Sequence, residues 1–524
     1  MKYMKYWLQY HHPLGSVVRI FQASHSRVSL FNMSLQGIME PEKVEEVLLS
    51  HLKENKIFPK GPKSWTIRSS LLGGRGMFAT RDIKQNELIF IDSPLLVGPK
   101  YTGKHFEMCV SCYKNECALF PCDRGCGLPV CSTQCENSPK HVNYECEYLK
   151  SLVPTCGTDW SPNLLLAVLP IRALFLTEQQ RKCLATLQSD KNLTCYPEIE
   201  QLKKNVTNSP SEEDMELMKH VCRILNTNSF ETIMVHDQEH STSLRGLYSI
   251  ASFQNHCCVP NTRHHFDGEF RMYVSAALSI AAGEEITSTY TSLFWDTTLR
   301  RKFLSITKHF SCMCKRCSDP TEFKSRLGAL LCASDKCSGE LLPLDPLNMT
   351  TPWICDKCAI TLNHRQICSI RSGIAGIIKE VLCKTPREIY KFLQKELSLL
   401  TPWSNYCIVD MKFRIVSYYG RSDGAKWEDL SDTELNLKAK FCNDLLSVLD
   451  ALNCGDCRKR GLILYELYCT NLEKIKRFKQ QPNIEEVDEN QRILKKAITI
   501  LQNDIISAVT FEYDKNYFKQ PIAV

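Results

Sequence analysis

The sequence predicts an α+β protein of several domains: a strand-rich domain split by a cysteine-rich insert, a second cysteine-rich region behind it, and an α-helical C-terminal domain. Three observations predict it. Short apolar runs bounded by glycine turns fill 63–107 and return in 236–292. Cysteines in C-x2-C and C-x-C spacing gather at 108–148 and 312–358. Apolar residues at helical spacing dominate 366–524.

In chain order, 1–62 is an N-terminal extension with an aromatic, basic opening, and Met33 is an alternative start. Within it PEKVEEVLLSHLKEN (41–55) puts Val44, Val47, Leu48 and Leu52 on one helical face. Residues 63–107 read as strands: WTIRSS, the glycine turn LLGGRGMFAT, then ELIFIDSPLLVG. The insert 108–148 is followed by a helical stretch, 149–235, marked by SPNLLLAVLPIRALFL and DMELMKHVCRIL. Strands resume over 236–292, including FRMYVSAALSIAAGEEITSTY. Two metal-binding stretches, 293–320 and 321–365, precede the helical domain, 366–524. There Phe441, Leu445, Val448 and Leu449 share a face ended by Gly455 as C-cap, and Ile493, Ala497, Ile500, Leu501 and Ile505 continue one pattern in antiparallel pairs of helical-repeat (TPR-like) type.

Composition is that of a soluble globular protein, 43% apolar and 23% charged. A net charge of +7 is too mild to argue for nucleic-acid binding, and Arg300-Arg301-Lys302 reads as a solvated face. The opening residues lack the apolar core of a signal peptide, and no run approaches the ~18 apolar residues of a membrane helix. The expectation is an intracellular, reducing setting, where disulfides are rare. Of 28 cysteines, 21 lie between Cys109 and Cys358, so zinc is the better reading than disulfide staples.

Cys109-x2-Cys112, Cys122-x3-Cys126, Cys131-x3-Cys135 and His141-x4-Cys146 supply eight ligands, enough for two closed tetrahedral sites whose pairing spacing leaves open. The segment is short and polar, so metal would supply its stability. Cys332-x4-Cys337 and Cys355-x2-Cys358 form a further four-cysteine set across a hairpin-like ribbon closed by Trp353. Cys454-x2-Cys457 has no partner pair nearby and reads as structural.

The insert resembles a MYND zinc finger, and the domain around it resembles a SET methyltransferase. The SET resemblance rests on Gly74-Arg75-Gly76-Met77-Phe78, on Asn255-His256-Cys257-Cys258-Val259-Pro260-Asn261 (N-H-x-C-x-P-N), and on Gly283-Glu284-Glu285-Ile286 followed by Tyr290. Cys312-x-Cys314-x2-Cys317 is similar to a post-SET cysteine triplet. The order is that of the SET-and-MYND (SMYD) lysine methyltransferases, and the long insert and cysteine-rich extension resemble an arthropod-type branch.

The resemblance implies two interleaved zinc sites in the finger, Cys109/Cys112/Cys131/Cys135 and Cys122/Cys126/His141/Cys146, with Cys117 spare. Two finger spacings are one residue longer than the common pattern. A third site would join Cys258 to the triplet, which makes four zincs with the ribbon. It further implies S-adenosylmethionine as methyl donor, with Arg75 and Gly76 at its methionine end, Asn228 contributed by the helical insert, Asn255 and His256 near the adenosine, and Phe310 stacked on adenine. Tyr290 would orient the acceptor lysine amine at the transfer point, where loss of its proton precedes attack. Gly246-Leu247-Tyr248 would be a structural turn.

Cys257 stands where serine is common and reads as a buried small residue; His264 and His265 read as strand-edge or surface residues. Two departures concern the substrate side: Gln254 enters a normally apolar strand, and Lys308 replaces an aromatic that lines the lysine channel. The expected function is protein-lysine methylation of a histone or another protein. The alternative is a catalytically weak or inactive zinc-stabilised scaffold or transcriptional co-regulator. Expected partners are a substrate protein and proline-rich segments at the finger, without membrane or direct nucleic-acid contact, for a monomer in cytoplasm and nucleus.

Overall fold

The structure is a computed structural model that describes residues 39–518 except 56, 58–61, 101–106, 191–192, 238–239, 335, 382–383 and 479–483. The aromatic opening stretch and Met33 lie outside the described residues. Helix α1 (Pro41–Asn55) buries Val44, Leu48 and Leu52. Its Glu45 carboxylate accepts from Thr66 Oγ1 (2.6 Å) and Ile67 N (2.9 Å), which fastens the helix to the first strand.

Strands β1 (Trp65–Ser69) and β2 (Arg75–Ala79) form an antiparallel hairpin in the register Trp65↔Ala79. β3 (Leu88–Asp92) and β4 (Pro94–Pro99) then leave for two different sheets. The insert contributes the short pair β5 (Phe120–Pro121) and β6 (Pro129–Val130). It is less polar than its sequence suggests: Met108, Val110, Leu128 and Val130 share a core with Leu164, Val168 and Ile171 of α2 (Leu164–Ala173).

Helices α3 (Glu178–Thr186) and α4 (Glu212–Asn228) follow, with the short helix Pro197–Lys204 between them; Ser211 caps α4 by accepting from Asp214 N. The expected helical character does not reach residue 235. Ser229–Val235 is strand β7, hydrogen-bonded along its length to β8 (Ser241–Tyr248), because Phe230, Ile233 and Val235 suit a pleated surface. β9 (Thr262–Phe266) and β10 (Met272–Ala276) follow, giving three-stranded sheets in the orders β3-β10-β9 and β4-β8-β7. The expected strand through 278–290 is absent. That stretch docks by isolated bridges, Ile83↔Ile280, Phe78↔Glu285 and a parallel His256↔Ser288. Trp65, Ile67, Met77, Phe90, Tyr248, Val274 and Ile286 form the core of this domain.

Helix α5 (Thr297–Thr307) brings a correction. Arg300 and Arg301 are buried, not solvated. Arg300 is consumed by Glu322 (2.7 Å), Thr297 Oγ1 and the Cys317 sulfur, and Arg301 by the carbonyls of Cys312, Pro346 and Leu347. The ribbon is a four-stranded antiparallel sheet of β11 (Leu330–Leu331), β12 (Glu340–Pro343), β13 (Trp353–Cys355) and β14 (Thr361–Leu362).

The C-terminal domain runs through α6 (His364–Val381), α7 (Pro386–Lys395), α8 (Tyr406–Tyr418), α9 (Asp432–Ala451), α10 (Arg458–Phe478), α11 (Ile484–Leu501) and α12 (Ile505–Phe518). The single pattern expected through residue 505 is broken after Leu501. Asn503 takes a left-handed φ of 63°, and the Asp504 carboxylate accepts from Ile506 N and Ser507 N to start α12. Helix α9 ends at Ala451, four residues before the expected cap, with Asn453 at φ 53°. Gly455 serves another purpose: at φ 56° it lies so near β10's exit that an added Cβ would sit 2.2 Å from Ala277 O. Next to it Asp456 N donates to Ala277 O (2.8 Å). Arg263 of β9 reaches across the same junction to Asp456 O (3.2 Å), Ile500 O (3.1 Å) and Thr499 O (3.4 Å). No helix among the described residues is long and apolar enough to cross a membrane.

Candidate active site and metal centres

Four sets of ligand atoms are drawn together, each with all its members within 4.8 Å of one another: Cys109/Cys112/Cys131/Cys135, Cys122/Cys126/His141/Cys146, Cys258/Cys312/Cys314/Cys317 and Cys332/Cys337/Cys355/Cys358. This is the partition the resemblance implies for the first three sets and the cysteine spacing for the fourth. A tetrahedral zinc with Zn–S bonds of about 2.3 Å separates its sulfurs by about 3.8 Å. The spacings within the sets agree: Cys112–Cys131 3.5 Å, Cys122–Cys146 3.9 Å, Cys126–His141 Nε2 3.7 Å, Cys258–Cys312 3.9 Å and Cys337–Cys355 3.7 Å. The ribbon sulfurs also accept backbone N–H groups, from Ser334 to Cys332, Gly339 to Cys337 and Lys357 to Cys355, as thiolates poised for a cation do. These donor sets fit structural zinc with no open position.

The finger's buried ligand is held from behind. His141 Nδ1 lies 3.2 Å from Glu145 Oε1, which leaves Nε2 for the metal. Glu145 is in turn gripped by Arg172 of α2 through Nε (2.9 Å) and Nη2 (2.7 Å). The same guanidinium donates to Val97 O, Tyr113 Oη and Val110 O, so all five of its N–H groups are used. Burial opposes the charge on Arg172, but Tyr113 and Glu145 hold its pKa above the ordinary arginine value.

The third metal set adjoins the candidate active site. Tyr290 N donates to His256 Nδ1 (3.0 Å), so the remaining ring proton sits on Nε2 and points at Cys258 Sγ, 3.2 Å away. His256 therefore braces a metal thiolate and presents its ring to Tyr290 and Phe310, whose ring centroids are 5.2 and 5.9 Å away. Tyr290 Oη donates to Gln254 O (2.8 Å). Burial first, and Glu285 second, raise the phenol's pKa, so it stays protonated. Gln254 ends a 3-10 turn, Ala251–Phe253, not a dry strand, and its amide is satisfied by Thr262 Oγ1 at 3.0 Å.

A second knot lies under the glycine turn. Asn255 Nδ2 donates to Arg75 O (3.1 Å) and Glu285 Oε1 (2.7 Å), and Ser70 Oγ reaches both Glu285 oxygens at 2.8 Å. Gly76 has no room for a side chain, since a Cβ would meet Glu285 Oε1 at 2.2 Å and Asn255 Nδ2 at 2.9 Å. The Arg75 guanidinium points elsewhere, to Met39 O and Thr186 O and over the Phe253 ring. Its backbone, not its side chain, faces this knot. Asn261 ties the two motifs together by donating to Glu284 Oε1 and Glu285 O while accepting from Thr287 N. Asn228 closes α4 by donating to Ile224 O and Gln188 O. Beside it Thr227 O accepts from Lys308 Nζ (2.6 Å), and that ammonium lies 5.7 Å from the Tyr290 ring centroid. Lys308 thus points inward.

Glu285 and Asn261 stand inside the sequence motifs with no role that the motifs alone assign; both are hubs here. Cys257 is half-buried beside the third metal set but outside it. His264 and His265 lie at the expected strand edge, in β9, but not at the surface: burial pushes each pKa down to about 4. The His265 ring stacks on Tyr273 at 5.2 Å. Neither belongs to a metal group among the described residues. Buried beneath the third set, Arg300 and Arg316 share Glu322, and Arg300 Nη2 lies 3.4 Å from the Cys317 sulfur.

Against known proteins, the SET domain family model matches residues 74–291. The Drosophila melanogaster "SET domain-containing protein SmydA-8, isoform B" is 31% identical over 436 residues, covering 81% of this chain and 95% of that protein. The Arabidopsis thaliana "Histone-lysine N-methyltransferase ASHR1" is 25% identical, covering 62% and 71%. The mouse "Histone-lysine N-methyltransferase SMYD3" is 27% identical, covering 47% and 59%.

Proposed function

Since the chain belongs to the SMYD family of SET-domain proteins, we propose that it is a protein-lysine N-methyltransferase that uses S-adenosylmethionine, with Tyr290 at the transfer point. The observation that carries this reading is the convergence of Tyr290, His256 and Phe310 beside the third metal set with the Gly76–Asn255–Glu285 knot. The cofactor would supply an electrophilic methyl on a sulfonium, held by Asn228, Asn255, His256, Phe310 and the backbone of Arg75 and Gly76.

What the residues contribute follows from their bonds. Tyr290 spends its proton on Gln254 O, so the lone pairs of its oxygen face outward and can accept from an incoming amine. A buried, neutral phenol orients that amine without adding charge. Zinc at the Cys258 site would fix His256, and through it the backbone N–H of Tyr290, so the metal acts on geometry and not on bonds. The insert 108–148 is read as a MYND finger that grips proline-rich partners, and the protein as a monomer of cytoplasm and nucleus.

The test is transfer of labelled methyl from S-adenosylmethionine into extract proteins by wild type and by Tyr290→Phe. Label with wild type and its loss in the variant supports the reading; binding of the cofactor by both without any labelled protein refutes it. Lys308 gives one specific reason to weigh a non-catalytic scaffold, since its ammonium lies over the ring of Tyr290, the proposed transfer tyrosine.

A further inference from the structure

Lys308 follows α5 at its C-cap, and its side chain runs inward, not out to solvent. Nζ ends between the last turn of α4, where Thr227 O accepts from it at 2.6 Å, and the face of Tyr290, 5.7 Å from the ring centroid. One neutral carbonyl is a modest anchor for a buried ammonium; no carboxylate pairs with it among the described residues, and the charged group that acts on it is Arg245, another cation. A lysine placed for structure is ordinarily compensated by an acid, as Lys438 is here by Glu466 at 2.6 Å. Two residues on, Phe310 packs in the same cluster as Tyr290 and the metal thiolates, so the short segment Lys308–Phe310 delivers an amine and an aromatic wall to one place.

We propose that Lys308 is itself a methyl acceptor: the protein methylates its own Lys308 in cis, an inference that rests on the reading of Tyr290 as the transfer tyrosine. The neutral Nζ lone pair attacks the sulfonium methyl carbon of S-adenosylmethionine. A C–N bond forms as the C–S bond breaks, its electron pair stays on sulfur to give S-adenosylhomocysteine, and the proton shed by the amine passes to solvent. Burial, and the neighbouring Arg245, lower the pKa of Lys308 to about 8, so the neutral amine is far more abundant than for an exposed lysine. A methyl on Nζ also crowds the bond to Thr227 O, so the modified side chain has less reason to stay in the path of an external lysine.

The experiment uses the full, zinc-loaded chain with S-adenosylmethionine carrying a deuterated methyl, followed by peptide mass spectrometry and parallel incubation with extract proteins. The expected result is label on Lys308, lost in Tyr290→Phe and in Lys308→Arg, with a labelled fraction per chain that does not change on dilution. Lys308→Arg keeps the charge and the donor to Thr227 O, and unchanged zinc content and melting temperature exclude misfolding as the cause of the loss. If extract proteins are labelled while Lys308 stays bare, self-methylation is overturned and the methyltransferase reading stands. If the cofactor binds and nothing is labelled, both fail. If the labelled fraction falls with dilution, the transfer occurs between molecules and the cis inference is overturned.

Discussion

Replacing Arg172 by leucine isolates the contact that seats the zinc-binding insert on the strand domain. The substitution removes five N–H donors at once and leaves the Glu145 carboxylate, which is 0% exposed, without its bidentate partner. Breaking a buried ion pair from one side costs about 3–5 kcal/mol. For a cooperative unit of 150–250 residues at about 2–4 °C per kcal/mol, the melting temperature should fall by roughly 6–20 °C. The loss should reach the metal too, because Glu145 orients His141. The assay is thermal unfolding of the zinc-loaded protein together with zinc release to a competing chromophoric chelator. Arg172→Lys should fall between wild type and Arg172→Leu, since an ammonium cannot span both Glu145 oxygens and three further acceptors. Arg172→Leu with Glu145→Gln should recover part of the loss by removing the stranded charge. If Arg172→Leu melts within about a degree of wild type and holds zinc equally well, the argument is wrong.

Cys258→Ser should lower the zinc count by intact-protein mass spectrometry from four per chain to three, whereas Cys257→Ser should leave four, because Cys257 lies outside the ligand set. Asp92 is fully buried and accepts from Ile250 N and Ala251 N with Oδ1 unpartnered, and burial lifts its pKa to about 7. A folded-state pKa above the unfolded value means that the protonated carboxyl's contribution is complete below about pH 4 and is lost as pH rises through 7, roughly 4 kcal/mol in all. Melting temperature should therefore fall from about pH 5 to pH 7 in wild type, level off above about pH 7.5, and stay flatter over the same range in Asp92→Asn; equal slopes would count against it. Gly455→Ala meets both a left-handed φ and the Ala277 carbonyl, and should cost roughly 2–5 kcal/mol in denaturant unfolding, with an unchanged midpoint as the contrary result.

The zinc framework was the most legible feature, because metal ligands are few in type and their spacing is constrained by coordination. The ribbon set follows from Cys332, Cys337, Cys355 and Cys358 alone, while the interleaving within the finger needed a family pattern. Helix α1 was readable from Val44, Val47, Leu48 and Leu52. The failures share one cause: long-range partners that no local pattern carries. Arg300 and Arg301 look solvated until Glu322 and the carbonyls of Cys312, Pro346 and Leu347 are brought to them. Gly455 looks like a helix cap until Ala277 arrives. The break before α12 did have a local signal, Asn503-Asp504, overridden by the apolar rhythm on either side. The inward direction of Lys308 depends on Thr227, 81 positions earlier, and lies beyond any window-based reading.

The junction around Arg263 bears on how the molecule can be made. Strand β9 lies at an edge of its sheet, and the guanidinium that it carries bonds to Asn86 and Ala276 within the strand domain and also to the carbonyls of Asp456, Thr499 and Ile500, synthesised about two hundred positions later. While the ribosome is still making that distal segment, the guanidinium holds only Asn86 Oδ1 and Ala276 O, and the rest of its hydrogen bonding is left to water. The junction is thus completed only at the end of translation, and a chain that stops before α11 keeps three of this arginine's five acceptors and loses the two that tie the strand domain to the last helices.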